Sequence, residues 1–150
     1  MTLGSDSDAT SIDPKLVKNF ALFREPVPGP DGPLDEAQWR AIEFLSRRGT
    51  DFVLSRTVKV VLDEGLTMLV VPGLAGVLML APDRDGRFNA AVGANTEALL
   101  EGRPVGSFGS LVFGLAVDGD DWAPVRLADG SAVRAAVKRN VYAIADPSRQ

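Results

Sequence analysis

The chain has 150 residues, 45% apolar, 24% charged and 7% aromatic, which is the usage of one ordinary folded domain able to close a core without disulfide or metal. It contains no Cys and no His, which excludes thiol nucleophiles, Ser-His-Asp and Cys-His catalysis and every Cys/His metal or haem site, so no cofactor or metal is called for. Sixteen Lys and Arg against twenty Asp and Glu leave a net charge of −4, so a nucleic-acid role would need a local basic patch.

Residues 1–13, MTLGSDSDATSID, are Ser/Asp-rich without a basic or apolar signal region, and read as a disordered tail rather than a secretory signal. The lack of Cys suits a reducing cytoplasm and equally a simple secreted domain; the compartment stays open, with the cytoplasm favoured. Residues 14–33 follow as a short apolar segment, PKLVKNFALF, helix or strand, and then REPVPGPDGP, a Pro-rich linker or extended arm. Residues 34–146 form a single α+β domain.

Leu34 to Arg48 is the one strong helix. Asp35 is its N-cap, Arg47 and Arg48 suit its negative end, and Gly49 supplies the left-handed residue beyond it. Ala37, Ala41, Phe44 and Leu45, widened by Trp39 and Ile42, form one apolar stripe to bury, with Trp39 and Phe44 as core candidates. In 51–63 the period becomes two: Phe52, Leu54, Val58, Val60 and Leu62 face one way, and Ser55, Thr57, Lys59 and Asp63 the other, as in a half-buried strand. If Asp63-Glu64-Gly65 is a three-residue loop, Val60 pairs with Met68 and Val58 with Val70, all on one face.

Gly65 to Pro82 is eighteen residues without a charge, near the lower limit for a membrane-spanning helix. Pro72-Gly73 and Gly76 at its centre favour a reversal between two short apolar strands, and no membrane span is expected. Arg84-Asp85-Gly86 is a second acidic-Gly turn, setting Leu80 across from Ala90 and Leu78 from Val92. Asp83 and Asp85 look like part of a calcium loop, but its first carboxylate and closing Glu are missing, so a hairpin turn is the better reading. Thr96 to Glu101 is one helical turn. Val105 to Val117 is a strand pair or one long strand kinked by Gly106, Gly109 and Gly114. A third turn at Ala128-Asp129-Gly130 pairs Val125 with Val133, Ala123 with Ala135 and Arg126 with Ala132, and the last strand runs from Ala132 to Ala145. The expected architecture is a curved antiparallel β-sheet, sandwich or small barrel, with one amphipathic helix packed on it.

Few groups could carry chemistry. Glycine-rich pieces have no Gly-Lys-Ser/Thr and no G-x-G-x-x-G, and Ser107 and Ser110 miss the nucleophile elbow. Asp118, Asp120 and Asp121 form a dense acidic cluster before Trp122, able to solvate, to meet a cation or to shift one another's pKa. Arg126, Arg134, Lys138 and Arg139 make a basic strip, with Asn140 and Tyr142 on the parity of Arg134 and Lys138; such a face could meet an acidic peptide or a nucleic-acid strand. The binding candidates are therefore Asp118, Asp120, Asp121, Trp122, Arg134, Lys138, Asn140 and Tyr142.

The C-terminal third, with Val117-Asp118-Gly119, Asp129-Gly130 and Asn140-Val141-Tyr142, resembles a β-rich domain of uncharacterised actinobacterial proteins, many of which look exported. Val71-Pro72-Gly73 and Leu78-Met79-Leu80 extend the likeness upstream. This chain lacks that family's turn proline and paired cysteines, and the resemblance implies a fold type without an activity. The leading expectation is a non-enzymatic binding or assembly module, joined to a protein partner or to itself through a sheet face or the Pro-rich arm. The alternatives are a carboxylate hydrolase using Asp118, Asp120, Asp121 or Glu97, and a single-stranded nucleic-acid binder using the terminal hairpin.

Overall fold

A computed structural model describes residues 12–47, 51–63 and 65–149. It contains helices α1 (Pro14–Asn19), α2 (Glu36–Leu45) and α3 (Thr96–Leu100) and nine strands, β1 (Val58–Val61), β2 (Thr67–Pro72), β3 (Gly76–Leu80), β4 (Ala91–Asn95), β5 (Gly106–Phe108), β6 (Leu111–Leu115), β7 (Trp122–Arg126), β8 (Ala132–Ala136) and β9 (Val141–Ala145). The strands form three antiparallel sheets, in the orders β1-β2-β3-β4, β5-β6-β9 and β7-β8, with no closed barrel among the described residues. The fold is α+β and mostly β.

Side-chain parity stacks these pieces in layers. On β2 and β3, Leu69, Val71, Leu78 and Leu80 join Ile42 and the flanking Trp39, Ala41 and Leu45 of α2. The alternate residues Met68, Val70, Val77 and Met79 turn to the other side and meet Phe113, Leu115 and Val141 of the second sheet. The far face of that sheet, Val112 and Tyr142, packs on Ala123, Val125 and Ala135 of the β7–β8 hairpin. Burial of β2 and β3 on both faces explains the charge-free run from Gly65 to Pro82: a doubly covered strand has no solvent side to make polar. No helix of the described residues is long and apolar enough to cross a membrane.

The turn chemistry holds in detail. Val58 pairs with Val70 and Val60 with Met68, Gly65 taking a φ of 82° that favours glycine. In the last hairpin Val125 meets Val133, Ala123 meets Ala135 and Arg126 meets Ala132. Residues 105–117 resolve into the strand pair β5–β6, with Phe108 opposite Leu111. Asp35 caps α2 through a reciprocal capping box with Gln38, and Asn95 caps α3.

Four expectations need correction. The 51–63 strand is regular only from Val58; Leu54–Arg56 is a 3₁₀ turn, fixed by Thr57 Oγ1 donating to Leu54 O at 2.7 Å, so Val53 and Thr57 are buried where Phe52 and Leu54 were expected. The turn at Arg84-Asp85-Gly86 forms as expected, Asp83 N–H donating to Arg87 O at 2.8 Å. Beyond it, however, Leu80 pairs with Ala91 and Met79 with Val92. One extra residue among 88–90 bulges, which turns Val92 to the inner face and frees Phe88 to pack with the α2 layer. Phe44 is 64% exposed, with the Arg47 guanidinium over its ring. The terminal strand is broken into β8 and β9 by a two-residue turn, Arg139 and Asn140 both having positive φ (50° and 68°), the geometry of a type I′ hairpin.

The expected tail and arm are placed in part. Residues 1–11 and the helix-ending Arg48 and Gly49 lie outside the described residues. Ile12 is buried and Asp13 caps α1. Leu16, Phe20, Leu22 and Phe23 are fully or almost fully buried in the central core, and the Pro-rich stretch returns to its own chain, Asp31 accepting from Val61 N–H at 2.9 Å. Residues 14–33 therefore pack as part of the domain. Phe20→Ala is expected to destabilise the whole chain by about 3–5 kcal/mol, as for a large core truncation, seen as a lower urea midpoint of one cooperative transition. A midpoint unchanged from the parent would show that this segment is not part of the core.

Candidate functional site

The candidate residues divide into two groups. Asn140, Asp118 and Tyr142 belong to the framework. The buried Asn140 accepts at Oδ1 from Leu22 N–H (2.9 Å) and donates from Nδ2 to Ala116 O and Asp118 Oδ1 (both 2.9 Å). Its tolerance of left-handed backbone lets it sit in the tight turn while its amide ties the N-terminal segment to β6. Asp118 also accepts from Ala21 N–H and from the Arg24 guanidinium, each at 2.7 Å. Partial burial pushes its pKa up, and the hydrogen bonds from Arg24, Asn140 and Ala21 outweigh that and hold it below the ordinary 3.8. An anionic carboxylate so occupied has no proton to give as a general acid.

Tyr142, placed by parity on the basic strip, points inward and is 1% exposed. Its ring covers Gly114, where an added Cβ would lie 2.5 Å from the hydroxyl. The hydroxyl has no partner among the described residues, and burial pushes its pKa up to about 12.

Arg139 is likewise structural. Its guanidinium, largely buried, bonds Glu25 Oε1 and Asp31 Oδ2, each at 2.8 Å, which holds the Pro-rich stretch against the β8–β9 turn. Asp31 is held below its ordinary pKa first by the Val61 N–H and then, against desolvation, by Arg139.

The second group lies together on the surface. Along β7 and β8 the residues alternate, and Trp122, Pro124 and Arg126 with Ala132, Arg134 and Ala136 are all exposed. This outer face holds two arginines and an aromatic ring, and no acid. Trp122 is 51% exposed, and the Arg134 guanidinium carbon lies 5.4 Å from its ring centroid, a cation–π contact worth about 0.5–1 kcal/mol at such a site. Beside them opens a groove of about 320 Å³, bounded by Trp122, Arg134 to Lys138, Ala143 and Ile144, and closed by Leu62, Asp63 and Leu66 of the β1–β2 turn. Lys138 lines it while donating from Nζ to Val61 O at 2.6 Å.

Asp120 and Asp121 are exposed at the start of β7, Asp121 through its carbonyl bonding Val137 N–H. The described residues contain no group of three acidic side chains placed to hold a metal ion. Asp83 organises its own turn, accepting from the N–H groups of Asp85 and Arg87. The apolar wall of the groove, Leu62, Leu66, Ala143 and Ile144, was not singled out from sequence, because it joins segments about eighty residues apart that no local period relates. Compared with family models, with curated proteins and with solved structures, the chain matches none of them.

Two titrations follow. A carboxylate with a lowered folded pKa stabilises above its unfolded value and loses that contribution as pH falls through the folded one. Asp118→Asn is therefore expected to lower the urea midpoint at neutral pH, with the difference from the parent closing as pH drops below 3.8. A raised tyrosine pKa works in the other direction, so stability is expected to fall between 10.0 and about 12. Tyr142→Phe, which removes an unpartnered hydroxyl, should change neutral-pH stability by no more than about 1 kcal/mol and abolish that alkaline loss.

Proposed function

We propose that this chain is a non-enzymatic interaction module whose binding surface is the outer face of β7–β8 with its adjoining groove, and that it takes an acidic protein segment. The observation that carries this reading is the half-exposed Trp122 held under Arg134, on a strand face whose outward residues include no acid, the one carboxylate of the groove, Asp63, standing on its β1–β2 wall, in a chain whose net charge is −4. A local field opposite in sign to that of the whole molecule attracts anionic groups and gives the encounter an orientation. Trp and Arg are also the side chains that most often carry binding energy at protein interfaces.

The sheet face is the better candidate than the Pro-rich stretch, whose Glu25 and Asp31 are already engaged by Arg139 of the same chain. The strip available to an anion is narrower than the linear sequence suggests: Arg139 and Tyr142 are withdrawn into the framework, Lys138 Nζ donates to Val61 O and the Arg126 guanidinium to Gly130 O at the far end of the hairpin, leaving Arg134 beside the ring.

In a Trp39→Phe background, Trp122 becomes the sole indole and its fluorescence reports on the face. Titration with hexaglutamate is expected to give a saturable change that weakens with added salt, and Arg134→Glu to lower the affinity about tenfold, or about 1.4 kcal/mol. An absent response would reject the reading. A response to oligothymidylate in place of hexaglutamate would assign the face to single-stranded nucleic acid.

A further inference from the structure

We infer that the groove is a strand-addition site: an extended acidic segment of a partner protein pairs, backbone to backbone, with the free edge of β8. The inference deepens the reading above and rests on it. β8 and β9 are joined by the tight turn at Arg139-Asn140 and by one reciprocal pair of bonds, Lys138 N–H to Val141 O and Val141 N–H to Lys138 O, each 2.9 Å. Beyond that pair the two strands part, β8 to the β7 sheet and β9 to the β5–β6 sheet. The groove occupies the fork between them.

Hydrogen-bond alternation shows which backbone groups face the fork. Leu127 N–H bonds Ser131 O, and Val137 N–H bonds Asp121 O, both in register with β7–β8. The odd-numbered residues of β8 therefore turn their amides and carbonyls toward β7, and Arg134 and Ala136 turn theirs away, toward the fork. On β9, Ala116 N–H bonds Asn140 O, so the even residues face β6 and Ala143 faces the fork. The opposite edge of the hairpin carries Pro124 across from Arg134, which has no N–H to offer and guards that side.

A strand laid along β8 would place alternate side chains on its two faces. One set would lie beside Arg134 on the exposed face, with Arg126 one strand further off on β7, and the other over Leu66, Ala143 and Ile144 in the groove. The matching partner alternates acidic and aliphatic residues. The same arginines repel a second copy of this basic edge, which selects a different chain as occupant.

The test is anisotropy of a labelled Glu-Val-Glu-Val-Glu-Val peptide on the full chain, with two derivatives N-methylated on alternate residues, one in each register. Pairing along one edge uses every second peptide N–H, so one derivative is expected to bind about tenfold or more weakly and the other to match the parent. Ala136→Pro, which removes an outward N–H of β8, should weaken the parent peptide similarly at an unchanged urea midpoint. Binding that is affected equally in both registers, or unaffected in both, overturns strand pairing while the hexaglutamate response stands by itself. No binding of the parent peptide overturns it also.

Discussion

The structure depends on the burial of β2 and β3 on both faces. Their alternate side chains contribute to two separate cores, Leu69, Val71, Leu78 and Leu80 to one and Met68, Val70, Val77 and Met79 to the other. A pair of strands with no solvent face needs a cover on each side, and the rest of the chain is arranged to supply them. α2 closes one side with Ile42. The other is closed by the second sheet together with the N-terminal segment, whose Leu16, Phe20 and Leu22 fill the space that β5, β6 and β9 leave.

This layering also sets what the remaining surface can do. Once the second sheet has turned one face to the centre, its other face needs a cover of its own, and the β7–β8 hairpin provides it through Ala123, Val125 and Ala135. A two-stranded hairpin has one buried and one exposed face, and the exposed one carries Trp122, Arg126 and Arg134. Because β8 must reach that outer layer while β9 belongs to the second sheet, the strands diverge right after their shared turn, which opens the groove. Arg139 and Asn140 make the divergence possible. One is held by Glu25 and Asp31, and the other by bonds to Leu22, Ala116 and Asp118.

Several polar side chains join the layers. Asp118 bridges the N-terminal segment to the Asn140 turn, Asp31 caps the free N–H of Val61 at the sheet edge, and Thr96 Oγ1 donates to Asp13 Oδ2 at 2.7 Å, tying α3 to α1. Dense acidic and basic runs in the sequence thus separate into tethers and free surface only when their distant partners are in place. The acidic cluster illustrates this, since Asp118, itself at the surface, is committed to Arg24 and Asn140, and Asp120 and Asp121 are exposed beside it.

What the sequence determined by itself was local: the N-cap at Asp35, the registers around Gly65 and Gly130, the reversal at Pro72-Gly73, and the antiparallel, mostly β α+β architecture. Each follows from periods, caps and turn residues that act within about a dozen positions. The bulge before Ala91, the turn at Arg139-Asn140, the inward rotation of Tyr142 and the groove between β8 and β9 were decided by tertiary structure. Each depends on which distant surface a side chain meets: Phe88 on the α2 layer, Asn140 on Leu22, Tyr142 over Gly114. Parity along one strand assigns a residue to a face, and only the packing of the layers decides whether that face is covered.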